Sequence, residues 1–202
     1  MYIGQQISSW QLYVLKGKKP SRTHLKALYA PSEKKLELMD ATFDFYLEHS
    51  PAVQYAATLQ TKLVIDRDPQ QAEYQMMRLS SDFSDFAKRV NRSVFGQANR
   101  RKPEKYALLM LPLLEGSGFC SDEPKTLHYH VGIGNVPDYV SLDRLRTIIF
   151  FEWSKTRLGQ RDIKLTPGDE GWMGYITKEV DGGNLRGCDF ANAYVPTSSR
   201  HS

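Results

Sequence analysis

Three features of this sequence predict an α+β fold, with a central, largely antiparallel sheet and flanking helices. First, three segments read as strands: Thr58–Ile65 (TLQTKLVI), Tyr106–Glu115 (YALLMLPLLE) and Leu127–Asn135 (LHYHVGIGN). Second, Leu79, Phe83, Phe86, Val90 and Val94 recur at spacings of 4, 3, 4 and 4, the period of an amphipathic helix. Third, only the loop Gly116–Thr126 separates the second and third strands, which suggests an antiparallel hairpin.

The remaining elements follow in order. Pro31–Leu47 has a helical spacing at Leu36, Met39, Phe43, Tyr46 and Leu47, and Ser50-Pro51 ends it. Pro112 cannot donate to a ladder, so its strand is expected at an edge or a bulge. Ser141 is a candidate N-cap for a helix to about Arg157, with Leu142, Leu145, Ile148, Ile149 and Trp153 on one side. Asp162–Leu165 is a short fourth strand. Thr166-Pro167-Gly168-Asp169 reads as the start of a last helix, to about Val180, stopped by Gly182-Gly183. From Thr58 onward the expected order is β-α-β-β-α-β-α.

Composition bounds the function. Of 202 residues, 41% are hydrophobic and 25% charged. This is enough apolar material for a core and argues against a disordered or collagen-like chain. No run approaches the roughly 20 apolar residues that span a bilayer, and the first residues lack a signal-peptide pattern. A soluble, intracellular protein without a membrane partner is expected. Cys120 and Cys188 make neither a disulfide framework nor a zinc finger.

The net charge is +4, but Lys88–Lys105 alone holds seven basic residues against one acid, Glu104, a local charge of +6. Lys88, Arg89, Arg92, Arg100, Arg101 and Lys102 are therefore candidate phosphate-binding residues. A solvated helix end would look the same. Arg157, Arg161 and Lys164 are further candidates. Trp172 and Trp153 could stack on bases, although core packing is the preferred reading for Trp153.

Two constellations carry chemistry. His128 and His130 are two apart in a strand, so they share a face, while Leu127, Tyr129, Val131 and Ile133 face the core. Gly132 and Gly134 continue the histidine face and leave space for a ligand. Two such histidines can hold a metal, or simply lie half-buried on a solvated face. Tyr175 and Lys178 are three apart in the expected last helix and share a face. A tyrosine phenolate can attack phosphorus and also leave it, which permits reversible phosphoryl transfer. A neighbouring lysine stabilises the developing charge.

The pair HYH (128–130) and YITK (175–178), in this order, resembles the HUH endonucleases of the rolling-circle replication initiator type, with a single tyrosine. The resemblance covers roughly residues 58–183, and the element order agrees with that family's nicking domain. It implies Mg²⁺ or Mn²⁺ held by His128, His130 and a third polar ligand. Glu115 is preferred as that ligand, with Asp122 and Glu123 as alternatives. It implies that Tyr175 attacks a scissile phosphate, giving a 5′-phosphotyrosine link and a free 3′-OH, with Lys178 assisting. The partner would be single-stranded DNA at a replication origin of a plasmid, phage or other mobile element, in the cytoplasm of a prokaryotic cell. No Walker A motif occurs, so a separate helicase is expected.

The resemblance also divides the chain. Residues 1–57 form an N-terminal arm with a helix, expected to cover the sheet, with origin recognition or oligomerisation as alternatives. Residues 58–183 form the nicking domain and 184–202 a polar C-terminal tail. TLQTKLVI matches the family's threonine-containing first motif only loosely, with Thr61 as the counterpart. Rival readings are a transposase or relaxase, a different metalloenzyme with a two-histidine, one-carboxylate site, and a non-catalytic DNA-binding module.

Overall fold

The computed structural model describes residues 33–65, 68–116, 126–168 and 185–197. The chain divides into two units, Met1–Leu38 and Met39–Ser202. Of the first, only residues 33–38 are described, where they open helix α1 (Glu33–His49).

The second unit is α+β. After α1 come β1 (Val53–Val64), α2 (Pro69–Phe95), the short α3 (Gln97–Arg101), β2 (Leu109–Glu115), β3 (Thr126–Gly134), α4 (Leu142–Ser154) and β4 (Gly159–Pro167). The four strands form one sheet in the order β2-β3-β1-β4, and every pairing is antiparallel. Pro112 sits in β2 at one end of that order, where its missing N–H costs no ladder bond between strands.

Local side-chain chemistry starts both helices, at Ser141 where the sequence predicts a cap and at Asp68 where it predicts only a turn. Asp68 caps α2, accepting from the backbone N–H groups of Gln70 and Gln71 at 2.9 Å, with Pro69 in the first turn. Ser141 caps α4 by accepting from Arg144 N–H. Both helices then bury their apolar stripes on one sheet face. Leu79, Phe83, Phe86, Val90 and Val94 of α2 and Leu145, Ile149 and Trp153 of α4 pack on Leu59, Leu127, Tyr129, Val131, Ile133 and Leu165. Trp153 is fully buried, its indole N–H donating to Gln60 O at 2.8 Å. Core packing is therefore its role. Glu152, also buried, ties α4 to α2 through Arg89 Nε at 3.1 Å and accepts from Lys155 at 2.9 Å.

A smaller apolar cluster lies on the opposite face. Met39, Phe43, Phe45 and Tyr46 of α1 cover Leu109, Leu111 and Leu113 of β2. Tyr46 is fully buried and its hydroxyl donates to Pro112 O at 2.8 Å. Residues 39–46 of α1 thus cover part of the sheet, and the expected boundary at 57/58 falls inside β1. Leu47 is 49% exposed, and Phe45 is drawn inward instead.

Three further expectations are corrected. β1 begins at Val53 rather than Thr58, because β3 and β4 flank it on both sides and pair even its alanines. β2 begins at Leu109 rather than Tyr106. Thr166 and Pro167 do not start a helix: they pair with Ala56 and Tyr55 at the end of β4. Residues 185–197 of the polar tail pack against β2. Tyr194 exchanges two backbone hydrogen bonds with Met110, and Cys188 bridges Leu113. Asp189 then locks this segment inward, accepting from Tyr129 Oη at 2.7 Å, Ser80 Oγ at 3.0 Å and Asn192 Nδ2 at 2.9 Å. Among the described residues no helix is long and apolar enough to cross a membrane.

Candidate metal centre

Register brings the site together. In an antiparallel ladder, directly paired residues point to the same face. Glu115 pairs with His128, and Leu113 with His130. On the other side of β3, Gln60 pairs with His128 and Thr58 with His130. Since Tyr129 is locked in the main core, His128, His130, Glu115, Thr58 and Gln60 all face the other way, beside the region that α1 covers.

Glu115 Oε2 lies 3.1 Å from His128 Nε2 and 2.7 Å from His130 Nε2. The imidazoles stand nearly perpendicular, their ring centres 4.9 Å apart. His130 is buried, while His128 and Glu115 keep about a fifth of their side-chain surface. Glu115, His128 and His130 are the one group of three or more ligand-type side chains gathered this closely among the described residues.

The donor set fits a divalent cation. With bonds of about 2.1 Å and a right angle at the ion, neighbouring donors stand about 3 Å apart. The two carboxylate–imidazole distances bracket that value. The far ring nitrogens are oriented as metal-bound histidines require: His128 Nδ1 lies 3.3 Å from Thr126 O, and His130 Nδ1 lies 3.3 Å from Thr58 Oγ1. A carbonyl oxygen only accepts, so His128 acting as a metal ligand would carry its proton on Nδ1. Its Nε2 lone pair then points toward the carboxylate. Nitrogen and oxygen donors together do not select one metal.

Gly116 makes the position of Glu115 possible. Its φ is +91°, and an added Cβ would stand 2.9 Å from Thr126 O. Only glycine turns the chain off β2 this tightly. Gly134, by contrast, is not open space for a ligand. An added Cβ there would strike the Ala52 carbonyl and meet Leu109 Cβ at 3.4 Å. The missing side chain accommodates backbone instead.

Between the histidines, Tyr129 stays protonated. Burial raises its pKa well above the usual 10, and the charge of Asp189 and its hydrogen bond push the same way.

Of the other candidates, Thr61 is not beside the histidines. It is buried in an irregular stretch of β1, where its hydroxyl donates to Leu127 O at 2.5 Å and accepts from Leu63 N–H at 3.1 Å. Thr58, which pairs with His130, stands beside them instead. Strand parity separates the two, but no sequence signal says which parity matches the histidines.

The basic block lies elsewhere. Lys88, Arg89 and Arg92 belong to α2, on the core side of the sheet. Arg89 is committed to Glu152, and Lys88 stands 3.4 Å from Asp85. Arg100, Arg101 and Lys102 are exposed before the Leu109 end of β2. Six residues of strand, about 20 Å, separate that end from Glu115. Asp122, Glu123, Trp172, Tyr175 and Lys178 lie outside the described residues.

No protein-family model, curated protein or solved structure significantly matches this chain.

Proposed function

We propose that this protein nicks and rejoins single-stranded DNA by tyrosine transesterification, as the initiator of rolling-circle replication of a mobile element in a prokaryotic cytoplasm. One observation carries the reading: Glu115 Oε2 lies within 3.1 Å of both Nε2 atoms of the His-x-His strand. This makes a three-donor site of the kind that the HYH and YITK motifs imply.

The reading assigns Mg²⁺ or Mn²⁺ to Glu115, His128 and His130. When bound, such an ion polarises the scissile phosphate and templates its geometry. Tyr175 is the nucleophile. Its oxygen bonds to phosphorus as the bond to the leaving 3′ oxygen breaks. The phenolic proton is lost, and the leaving oxygen takes one up as a free 3′-OH. Lys178 stabilises charge on the phosphate. The reverse reaction joins ends. Gly168 N–H donates to Gln54 O, and Cys188 bridges Leu113. Tyr175 and Lys178 themselves lie outside the described residues. Unwinding falls to a separate helicase.

A covalent-trapping assay tests the reading. Wild type, Tyr175→Phe and His130→Ala are incubated with Mn²⁺ and labelled single-stranded oligonucleotides from the gene's own neighbourhood, then run on a denaturing gel. A labelled protein band present in wild type and lost in both variants is the expected result. A band kept by Tyr175→Phe would overturn the nucleophile. Bound zinc or iron in the purified protein, with no adduct, would favour another two-histidine, one-carboxylate metalloenzyme.

A further inference from the structure

We propose that Lys164 is the second anchor of the substrate, binding a phosphate of the DNA chain on the same sheet face as the metal group; this rests on the nicking reading above. The candidate phosphate-binding residues are the Lys88–Lys102 block and, further along the chain, Arg157, Arg161 and Lys164. That block is on the other side of the sheet or about 20 Å along β2. Register identifies a cation on the right side. Thr58 pairs with His130 through β3 and with Lys164 through β4. Leu113, His130, Thr58 and Lys164 therefore form one row across the four strands, all facing away from the main core. Leu165, the next residue, is buried in that core, which fixes the parity.

Lys164 is exposed, and no ion pair holds it among the described residues. Two strand spacings, about 10 Å, separate its backbone from that of His130. The row between offers the Thr58 hydroxyl. Alternation along β4 puts exposed Asp162 on the same face as Lys164, two residues nearer the His128 row. An anion entering from the β4 edge is therefore drawn along the His130 row and repelled from the neighbouring one. A divalent ion at one end, an ammonium at the other and a hydroxyl between suit a chain of phosphodiesters, each phosphate carrying one negative charge. Lysine meets such a phosphate as a point charge and needs no fixed fork geometry.

The test uses the full chain. Binding of labelled oligothymidylate in Mn²⁺ is followed by fluorescence anisotropy across a salt series for wild type, Lys164→Gln and Lys164→Arg. Mn²⁺ affinity is measured separately by calorimetry. Lys164→Gln is expected to bind about five-fold more weakly. Its log–log salt dependence should flatten by about 0.7, the loss of one single-strand phosphate contact. Lys164→Arg should restore both, and Mn²⁺ affinity should not change in either variant. Oligonucleotide binding by Lys164→Gln with wild-type affinity and slope would overturn the anchor and leave the nicking reading standing. A wild type that takes up Mn²⁺ but binds no oligonucleotide would overturn both.

Discussion

Thr58 and His130 face each other across the β1–β3 ladder, with Thr58 Oγ1 3.3 Å from His130 Nδ1. The hydroxyl steadies the ring that aims Nε2 at Glu115. Partners of this kind typically change metal affinity by 10- to 100-fold. Thr58→Val, which keeps the shape and removes the hydroxyl, should lower Mn²⁺ affinity by about ten-fold in calorimetry. Affinity equal to wild type would remove Thr58 from the site.

Glu115 is the charged member of the group. Glu115→Gln keeps its volume but loses the anion that balances a dication. A ligand that binds only the folded state raises its stability. Mn²⁺ should therefore raise the melting temperature of wild type and leave that of Glu115→Gln nearly unmoved. An equal shift in both proteins would mean that the ion binds elsewhere.

The Arg89–Glu152 pair makes a different prediction, about stability alone. Glu152 is buried and Arg89 keeps 31% of its side-chain surface, so solvent screens part of the interaction. Glu152→Ala removes the partner of a half-buried cation and should cost about 2 kcal/mol in urea denaturation. Asp85→Ala, which breaks the exposed pair with Lys88, should cost less than about 0.5 kcal/mol. Equal losses would contradict the burial argument.

Alkaline pH should weaken the fold through two tyrosines. Burial, chiefly, pushes the pKa of both Tyr46 and Tyr129 upward, and the nearby Asp189 adds to it in each. In the unfolded chain both ionise near 10. Above that pH the unfolded state loses protons that the folded state keeps. The stability is thus fully present below about pH 10 and falls as pH rises beyond it. Denaturation midpoints at about pH 8 and pH 11 should differ more in wild type than in Tyr129→Phe. An equal pH dependence in the two proteins would show that Tyr129 does not carry it.

Much of this was legible in the residues themselves. The α2 stripe, the cap at Ser141, the hairpin of β2 and β3, and the shared face of His128 and His130 all follow from local periodicity and hydrogen-bonding chemistry. Glu115 was legible for a similar reason: a short hairpin brings the end of one strand beside the start of the next. What was misread depended on partners distant in sequence. Ala56 and Ala57 have weak strand preference, and only pairing on both sides makes them strand. Thr166-Pro167 has the letters of a helix start, but Ala56 and Tyr55 recruit it into the sheet.

The sequence by itself determined which residues alternate within each strand and which stripe each helix buries, because those periods are set by local backbone geometry. Only the tertiary structure decided that Thr58 rather than Thr61 meets His130, that Lys164 shares their row, and that the basic block faces elsewhere. Strand order and register come from contacts between segments far apart in the chain. A shift of one residue would turn every side chain of a strand to the opposite face.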